Sequence, residues 1–429
     1  MRSAISPLLD GQTKGLPADL ASIELEQVGR QGWNLLAEDL PLPLAILKDS
    51  ALRHNAAWMR GFLRMTGMAI APHGKTSMSP QLLARQLADG AWGISVATVQ
   101  QLRVCRAGGI NRVLLANQLV GKQGIAYVLD ELARDTEFDF FALIDSVASA
   151  EALARAARAR NPGRPLKLLI ECGSAGGRAG CRSVAESIAV ARAVAAAQPY
   201  LELAGVEGYE GAVPPAASGA QDDRIREFVG FMASVANALT QQDLLPSDPI
   251  ILTAGGSAWF DLVSALPRAL NGRPTRVVIR SGCYLTHDSD AYARGAVAML
   301  ERDPGIRALG PGLRDALEVW SYVQSLPEPG LAILTMGKRD VSHDLHLPYA
   351  RWMCRPRSGA QPAQLPRGSA ITALNDQHAF MRVPPELQLQ VGDMIGCAIS
   401  HPCTTFDKWR FLPIVDDRYN VVDAITTSF

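Results

Sequence analysis

A (β/α)8 barrel of the TIM type, followed by a second, mostly β domain, is the α/β architecture this sequence predicts. Three observations carry it. From about residue 41 to residue 290, short apolar strands alternate with helical stretches. Eight or nine such strands fall within about 250 residues, the count and length of a closed parallel barrel. After about residue 300, Pro and Gly become frequent and the apolar stretches shorten. A doubly wound open sheet carries the same alternation, because counting strands does not show closure.

Residues 1–40 read as a poorly periodic N-terminal extension, expected to pack on the β domain. Residues 41–295 form the expected barrel. Its strand candidates are Leu44–Lys48, Ala69–Pro72, Gly93–Val96, Arg112–Leu115, Asp139–Ile144, Lys167–Glu171, Leu203–Glu207, Pro249–Thr253 and Thr275–Arg280. Between the first two, Leu52, Trp58, Met59 and Phe62 recur at helical spacing. Ala148–Arg160 and Val184–Gln198 are amphipathic in the same way. Residues 296–429 form the β domain, with strands at Ala370–Leu374, Met381–Val383 and Met394–Ile399 and a Pro-rich loop at Gln361–Arg367.

Composition excludes several function classes. Lys plus Arg equals Asp plus Glu at 42 each, so no net field draws the chain to nucleic acid or an anionic membrane. A hydrophobic share of 48% against 20% charged residues suits a core-rich enzyme of 429 residues, long enough for one large and one smaller domain. No apolar run reaches bilayer length, and the first ten residues lack a secretory apolar core. The 7 cysteines include no Cys-x-x-Cys pair, so a reducing cytoplasm is the expected compartment.

The chemistry-bearing positions cluster where strands end. Ala71-Pro-His-Gly-Lys-Thr-Ser77 places Lys75 after the second strand of a strand–helix–strand unit, so Lys75 is the expected Schiff-base amine. A solvated loop lysine is the plain alternative. Thr253-Ala-Gly-Gly-Ser257 and Arg280-Ser-Gly-Cys-Tyr284 follow later strands, where barrels commonly bind phosphate. Small residues there let backbone N–H groups approach an anion, with Ser257 and Tyr284 as further donors. Arg178, in a Gly-rich turn, faces a ring nitrogen or a carboxylate, or caps a helix. Tyr209 ends another strand, as a pocket residue or a buried tyrosine. No Walker-type Gly-x-x-x-x-Gly-Lys or dinucleotide Gly-x-Gly-x-x-Gly turn is present. Near the C-terminus, Ser400-His-Pro-Cys403 sets His401 and Cys403 two apart, on one face if extended, as a two-ligand Lewis-acid site or a strand-end histidine beside an inert thiol. His343 and His346 are further ligand candidates, and His378 would orient the site or simply sit on a strand.

Taken in order, Pro72-His-Gly-Lys-Thr76, Ser95-Val-Ala-Thr98, Leu115-Ala-Asn-Gln118, Arg178-Ala-Gly180, Gly208-Tyr-Glu-Gly211, Thr253–Ser257, Gly282-Cys-Tyr284 and Ser400-His-Pro-Cys403 resemble the D-threonine aldolase and D-serine dehydratase family. These are pyridoxal-phosphate enzymes with an alanine-racemase-like barrel of fold type III. The resemblance spans residues 43 to 403, and the C-terminal Thr404-Thr-Phe-Asp-Lys-Trp409 looks like the bacterial amino-acid deaminase group. It implies Lys75 as the covalent anchor of pyridoxal 5'-phosphate, with His73 beside it. It implies that Gly255, Gly256, Ser257, Gly282 and Tyr284, after Thr253, hold the phosphate. Arg178 then approaches the cofactor ring and Tyr209 lines the pocket. His401 and Cys403 match the family's divalent-metal pair, zinc before manganese or magnesium. Gln377, where the family often has Glu, and Gly74, inside the lysine motif, depart from the pattern.

The implied reaction is the dehydration of D-serine or a related D-β-hydroxy amino acid to a 2-oxo acid and ammonia. Retro-aldol cleavage to glycine and an aldehyde uses the same residues and is the runner-up. Racemisation, which needs no metal, comes third, and a non-catalytic cofactor-binding barrel is a different class again. The expected partner is a small D-amino acid, and the family implies a homodimer.

Overall fold

The structure is a computed structural model that describes residues 8–215 and 221–429. It divides into two units. One holds Arg60–Lys75 and Gln86–Gly282; the other holds the residues up to Met59, Thr76–Arg85 and Cys283–Phe429. The first seven residues of the expected N-terminal extension lie outside the described residues.

The strand that opens the expected barrel belongs elsewhere. Strand β1 (Leu44–Lys48) pairs in the antiparallel sheet of the second unit, and the barrel begins one strand later. The reason is visible in its burial. Leu44, Ala45, Ile46 and Leu47 are all fully buried, a pattern that a barrel strand and a central strand of a covered sheet share.

The barrel strands are β2 (Ala69–Ile70), β3 (Ile94–Val96), β4 (Arg112–Gln118), β5 (Asp139–Ile144), β6 (Leu166–Cys172), β7 (Leu201–Gly208), β8 (Ile250–Ala254) and β9 (Arg273–Ile279). Each pairs in parallel with the next from β3 to β8, then β8 with β9 and β9 with β2. Past β2 the chain runs on extended. His73 bridges Ser95 in parallel and the Ser95 N–H donates to the Pro72 carbonyl at 2.9 Å, which closes the ring. Ala71, Leu114, Phe141, Leu169, Ala204, Ile251 and Val278, one from each of seven successive positions around it, fill the interior. Gly205 is required where β7 meets β8, since a Cβ there would lie 1.8 Å from the Ile251 carbonyl oxygen.

Helices return the chain between strands, and their starts follow from local chemistry. Ser146 accepts from the Ser149 N–H ahead of Val147–Arg160. Ser183 accepts from the Glu186 N–H ahead of Val184–Ala195, while Glu186 accepts from the Arg182 N–H at 2.6 Å. The two serine caps satisfy amides that the first helical turn leaves orphaned.

The second unit is an antiparallel sheet. Its strands are β10 (Leu317–Glu328), β11 (Leu331–Leu334), β12 (Tyr349–Cys354), β13 (Ala370–Leu374), β14 (Ala379–Arg382), β15 (Met394–Ala398), β16 (Phe411–Val415) and β17 (Val421–Thr426). The order β12–β15–β10–β11–β14–β13 forms the main path, with β1 joining β10 and β16. The expected loop at Gln361–Arg367 contains a two-residue strand, Ala363–Gln364, paired with Trp352 and Met353. The extension packs in this unit: Lys14 bonds Asp340 at 2.6 Å, and Asn34 bridges Asn420.

Candidate active site

The barrel residues of interest from the sequence sit at or beyond the C-terminal ends of strands, Thr253 being the one inside its strand, β8. Lys75 lies in a single 3-10 turn, Gly74–Thr76, past β2, and its side chain is exposed. His73, two residues earlier, is half-buried with Nδ1 shut away from solvent and without a partner. Burial, and then the positive charges of Lys75, Arg280 and Arg178, hold its pKa well below the ordinary histidine range, so the imidazole is neutral.

Arg280 and Glu207 carry no separate signal in the sequence, yet they meet in the most buried Arg–Glu contact of this end. Arg280 Nη2 meets Glu207 Oε1, Nη2 donates to the Gly208 carbonyl at 3.0 Å, and Nη1 donates to Thr253 Oγ1 at 2.8 Å. The Thr253 hydroxyl therefore serves Arg280. Burial pushes the Glu207 carboxyl up to about 8 against the pull of Arg280, and its Oε2 has no partner. Sequence gave no sign of this, because burial of a carboxylate at a strand end is a tertiary property.

The glycine turn differs from expectation in one respect. The N–H groups of Gly255 and Gly256 donate to the two oxygens of Glu210, at 2.9 and 2.5 Å. An anion thus occupies both amides, but it is a carboxylate of the chain. Glu210 is fully buried, and burial raises its pKa while the two amides lower it. Gly255 has φ +91°, which only glycine adopts without strain. Next to the turn, Ser257 Oγ lies 3.1 Å from Ser281 Oγ, linking the ends of β8 and β9, and Ser257 and Gly282 are partly exposed. The Arg178 guanidinium is exposed and stands 5.1 Å from the Tyr209 ring centroid, a cation–π contact.

These residues fit a phosphorylated aldehyde. An exposed amine, two orphaned buried polar atoms (His73 Nδ1 and Glu207 Oε2) and partly exposed Ser257 and Gly282 converge on one end of the barrel. Buried polar atoms without partners are rare unless a ligand completes them.

In the second unit, His401 and Cys403 come together by a different route from the extended one expected. His401 is extended, φ −142°, but Pro402 starts a short helix, Pro402–Phe406, that carries Cys403. Proline favours the first helical position because its missing N–H would be unpaired there anyway. The imidazole and the thiol still influence each other's proton affinity. His401 Nδ1 donates to Asp344 Oδ2 at 2.6 Å, and Asp344 Oδ1 accepts from the Thr404 hydroxyl at 2.6 Å. Cys403 Sγ lies 3.7 Å from Cys283 Sγ and 3.6 Å from Thr76 Oγ1. The Cys403 partnership and the Asp344 carboxylate lift His401 to about 9. The Cys283 thiol, with help from His401 and Thr76, holds Cys403 well below the usual thiol range.

The other candidate ligands are not gathered with this pair. His346 pairs with Asp290, His343 Nδ1 faces the Val341 carbonyl, and His378 is exposed on its own loop. Gln377 bonds Asp340 at 3.3 Å. The stretch Val341–His346 does reach His401, but through Asp344. Among the described residues no three His, Cys, Asp or Glu side chains form a ready cage for a metal ion. The nitrogen–sulfur pair, with Nδ1 turned to a carboxylate and Nε2 left for ligation, fits a cation that keeps open positions. Tyr284 is buried in this unit. No helix among the described residues is long and apolar enough to cross a membrane.

Comparison with known proteins finds two matching domains. Residues 48–260 match the family described as alanine racemase, N-terminal domain, and residues 316–415 match the putative serine dehydratase domain. The chain is 27% identical over 380 residues to a D-threonine aldolase of Arthrobacter sp., covering 87% of this chain and 89% of that one. It is 30% identical over 141 residues to a D-threo-3-hydroxyaspartate dehydratase of Delftia sp., covering 33% of this chain and 36% of that one. Among solved structures, D-threonine aldolase from Filomicrobium marinum superposes with TM-score 0.73 at 21% identity, over 92% of this chain and 97% of that one. The Delftia dehydratase superposes with TM-score 0.69 at 22% identity, over 92% and 99% of the chains; a variant of it with one cysteine replaced by alanine was solved in a metal-free form. The barrel, the appended antiparallel sheet and both domain matches agree: this chain belongs to the D-threonine aldolase and D-serine dehydratase family of alanine-racemase-like, fold-type III pyridoxal-phosphate lyases.

Proposed function

We propose that this protein dehydrates a D-β-hydroxy amino acid, D-serine or a close relative, to a 2-oxo acid and ammonia. The observation that carries the reading is in the second unit: Thr76, the residue after Lys75, hydrogen-bonds the thiol of Cys403 at 3.6 Å. The soft nitrogen–sulfur pair His401–Cys403 favours zinc over magnesium, and manganese stands between them. Pyridoxal phosphate, when bound, supplies the electron sink for bond breaking at the substrate's α-carbon. A divalent cation at His401 and Cys403 supplies Lewis acidity toward a leaving oxygen.

The chain's own residues do the rest. Lys75 Nζ anchors the cofactor and, once released, takes the α-proton. His73 stays neutral and so adds no further positive charge beside Lys75. Ser257 and Gly282 would hold the phosphate, and Glu210 holds the turn of Gly255 and Gly256 beside it. Arg178, on the face of Tyr209, approaches the ring or the substrate carboxylate. Asp344 accepts from His401 Nδ1, so a cation would take Nε2 in exchange for the proton there.

Aldol cleavage is favoured by one specific finding, the longer match to an aldolase than to a dehydratase, 380 against 141 aligned residues. Incubation with D-serine, D-threonine and D-threo-3-hydroxyaspartate separates the readings. Elimination gives pyruvate, 2-oxobutyrate and oxaloacetate with equimolar ammonia. Glycine with an aldehyde and no oxo acid overturns it.

A further inference from the structure

Cys283 has no part in the proposed chemistry, yet it sits against the thiol that does. Of the seven cysteines, all among the described residues, six are buried and Cys403 alone is partly open to solvent. Its sulfur lies 3.7 Å from Cys283 Sγ, and Thr76 Oγ1 stands 3.6 Å from both sulfurs. A disulfide bond measures about 2.05 Å, so these two sulfurs are in van der Waals contact and short of bonding by less than 2 Å. Neither residue is in a strand. Cys283 follows β9 in a turn, and Cys403 lies in the first turn of a five-residue helix, so side-chain rotation with a small backbone shift closes the gap without breaking a β ladder.

We infer that Cys283 and Cys403 form a peroxide-driven disulfide that reversibly removes the thiolate donor from the cation site. The Cys403 thiolate attacks one oxygen of a peroxide and breaks the O–O bond. Its sulfur gains OH, and the departing hydroxide takes the thiol's proton to become water. Cys283, as its thiolate, then attacks the Cys403 sulfur, forms the S–S bond and expels hydroxide, which leaves as water with the Cys283 proton. Two thiols give up two electrons, and one hydrogen peroxide becomes two waters. The partly open sulfur reacts first and the buried one resolves it, so over-oxidation of Cys403 is forestalled. The consequence for metal binding rests on the reading of His401 and Cys403 as the cation pair; the disulfide itself does not.

The test uses the full chain treated with a small molar excess of hydrogen peroxide, alkylated and digested with trypsin without reduction. The expected product joins the peptide 281–294, which holds Cys283, to the peptide 383–408, with fragmentation placing the link at Cys403 and not at Cys397. It disappears on reduction with dithiothreitol and is absent in Cys283→Ser and Cys283→Thr. Cys403 sulfinic acid without the link, or a link at Cys397, overturns the inference. Zinc retained through gel filtration is measured on the same samples. Loss of zinc on oxidation with recovery on reduction supports the whole inference. Disulfide formation with zinc fully retained overturns the switch, and it places the failure in the assignment of the cation pair and not in the thiol pair.

Discussion

Asp344 accepts a hydrogen bond from His401 Nδ1 at 2.6 Å while its other oxygen accepts from the Thr404 hydroxyl at 2.6 Å. The carboxylate ties both ends of the short segment that carries Cys403, so it fixes the imidazole's direction and its tautomer together. Removing such a carboxylate from behind a ligating histidine typically costs 10–100-fold in metal affinity. Asp344→Ala is therefore expected to weaken zinc binding by about that factor, and Asp344→Asn by less, read by competition with a chromophoric chelator. Equal affinity in all three proteins contradicts the role.

Lys75→Ala is expected to abolish the visible absorption of the cofactor-loaded protein and to cut turnover by roughly a thousandfold or more, within the range of a lost general base plus a lost anchor. Borohydride reduction of the wild type followed by peptide mapping locates the anchor independently. A pyridoxyl adduct on a different lysine refutes the assignment.

Glu210 satisfies the buried Gly255 amide and the partly buried Gly256 amide at once. In Glu210→Ala both N–H groups lose their acceptor, the Gly255 amide in a buried place at about 1–3 kcal/mol and the partly buried Gly256 amide at less. A total near ~3 kcal/mol corresponds to a melting temperature lower by roughly 6–12 °C for a unit of this size. Glu210→Gln keeps one acceptor oxygen and loses less. Differential scanning calorimetry of the three proteins checks the order.

Glu207 makes stability depend on pH. Burial raises its folded-state pKa to about 8, above the ordinary carboxyl value near 4.5. The folded chain therefore holds this proton where the unfolded chain has lost it. Its stabilising contribution is complete below about pH 4.5 and is lost as pH rises toward 8, with a slope of at most ~1.4 kcal/mol per pH unit. Above that the contribution is flat. Glu207→Gln, which cannot ionise, is expected to remove this slope, so the variant gains on the wild type between pH 5 and 8. Urea denaturation at pH 5, 6, 7 and 8 measures the difference; parallel curves contradict it.

Much of the barrel was legible because its signals are local. Asp139–Ile144 and Ala370–Leu374 were read with the bounds observed, and the remaining barrel strands to within one to three residues, since apolar runs bounded by turn residues mark strands wherever they pair. Leu44–Lys48 was read as a strand of the wrong sheet, because four buried apolar residues in a row say that a strand is covered and not by what. His401 and Cys403 were legible as a pair, whereas Pro402 turned the expected extended segment into a helix start.

The amino-acid order by itself determined which residues follow the strands: an amine at 75 and a glycine turn at 255–256 in the barrel, a histidine and a thiol at 401 and 403 in the second unit. Only the tertiary structure decided what those groups meet. Glu210 reaches Gly255 and Gly256 across 45 and 46 residues of sequence, Arg280 reaches Glu207 across 73, and Cys283 reaches Cys403 across 120. The reason is physical: strand and turn propensities act over a few residues, while burial, ion pairing and pKa shifts arise from groups that folding alone brings within a few ångströms.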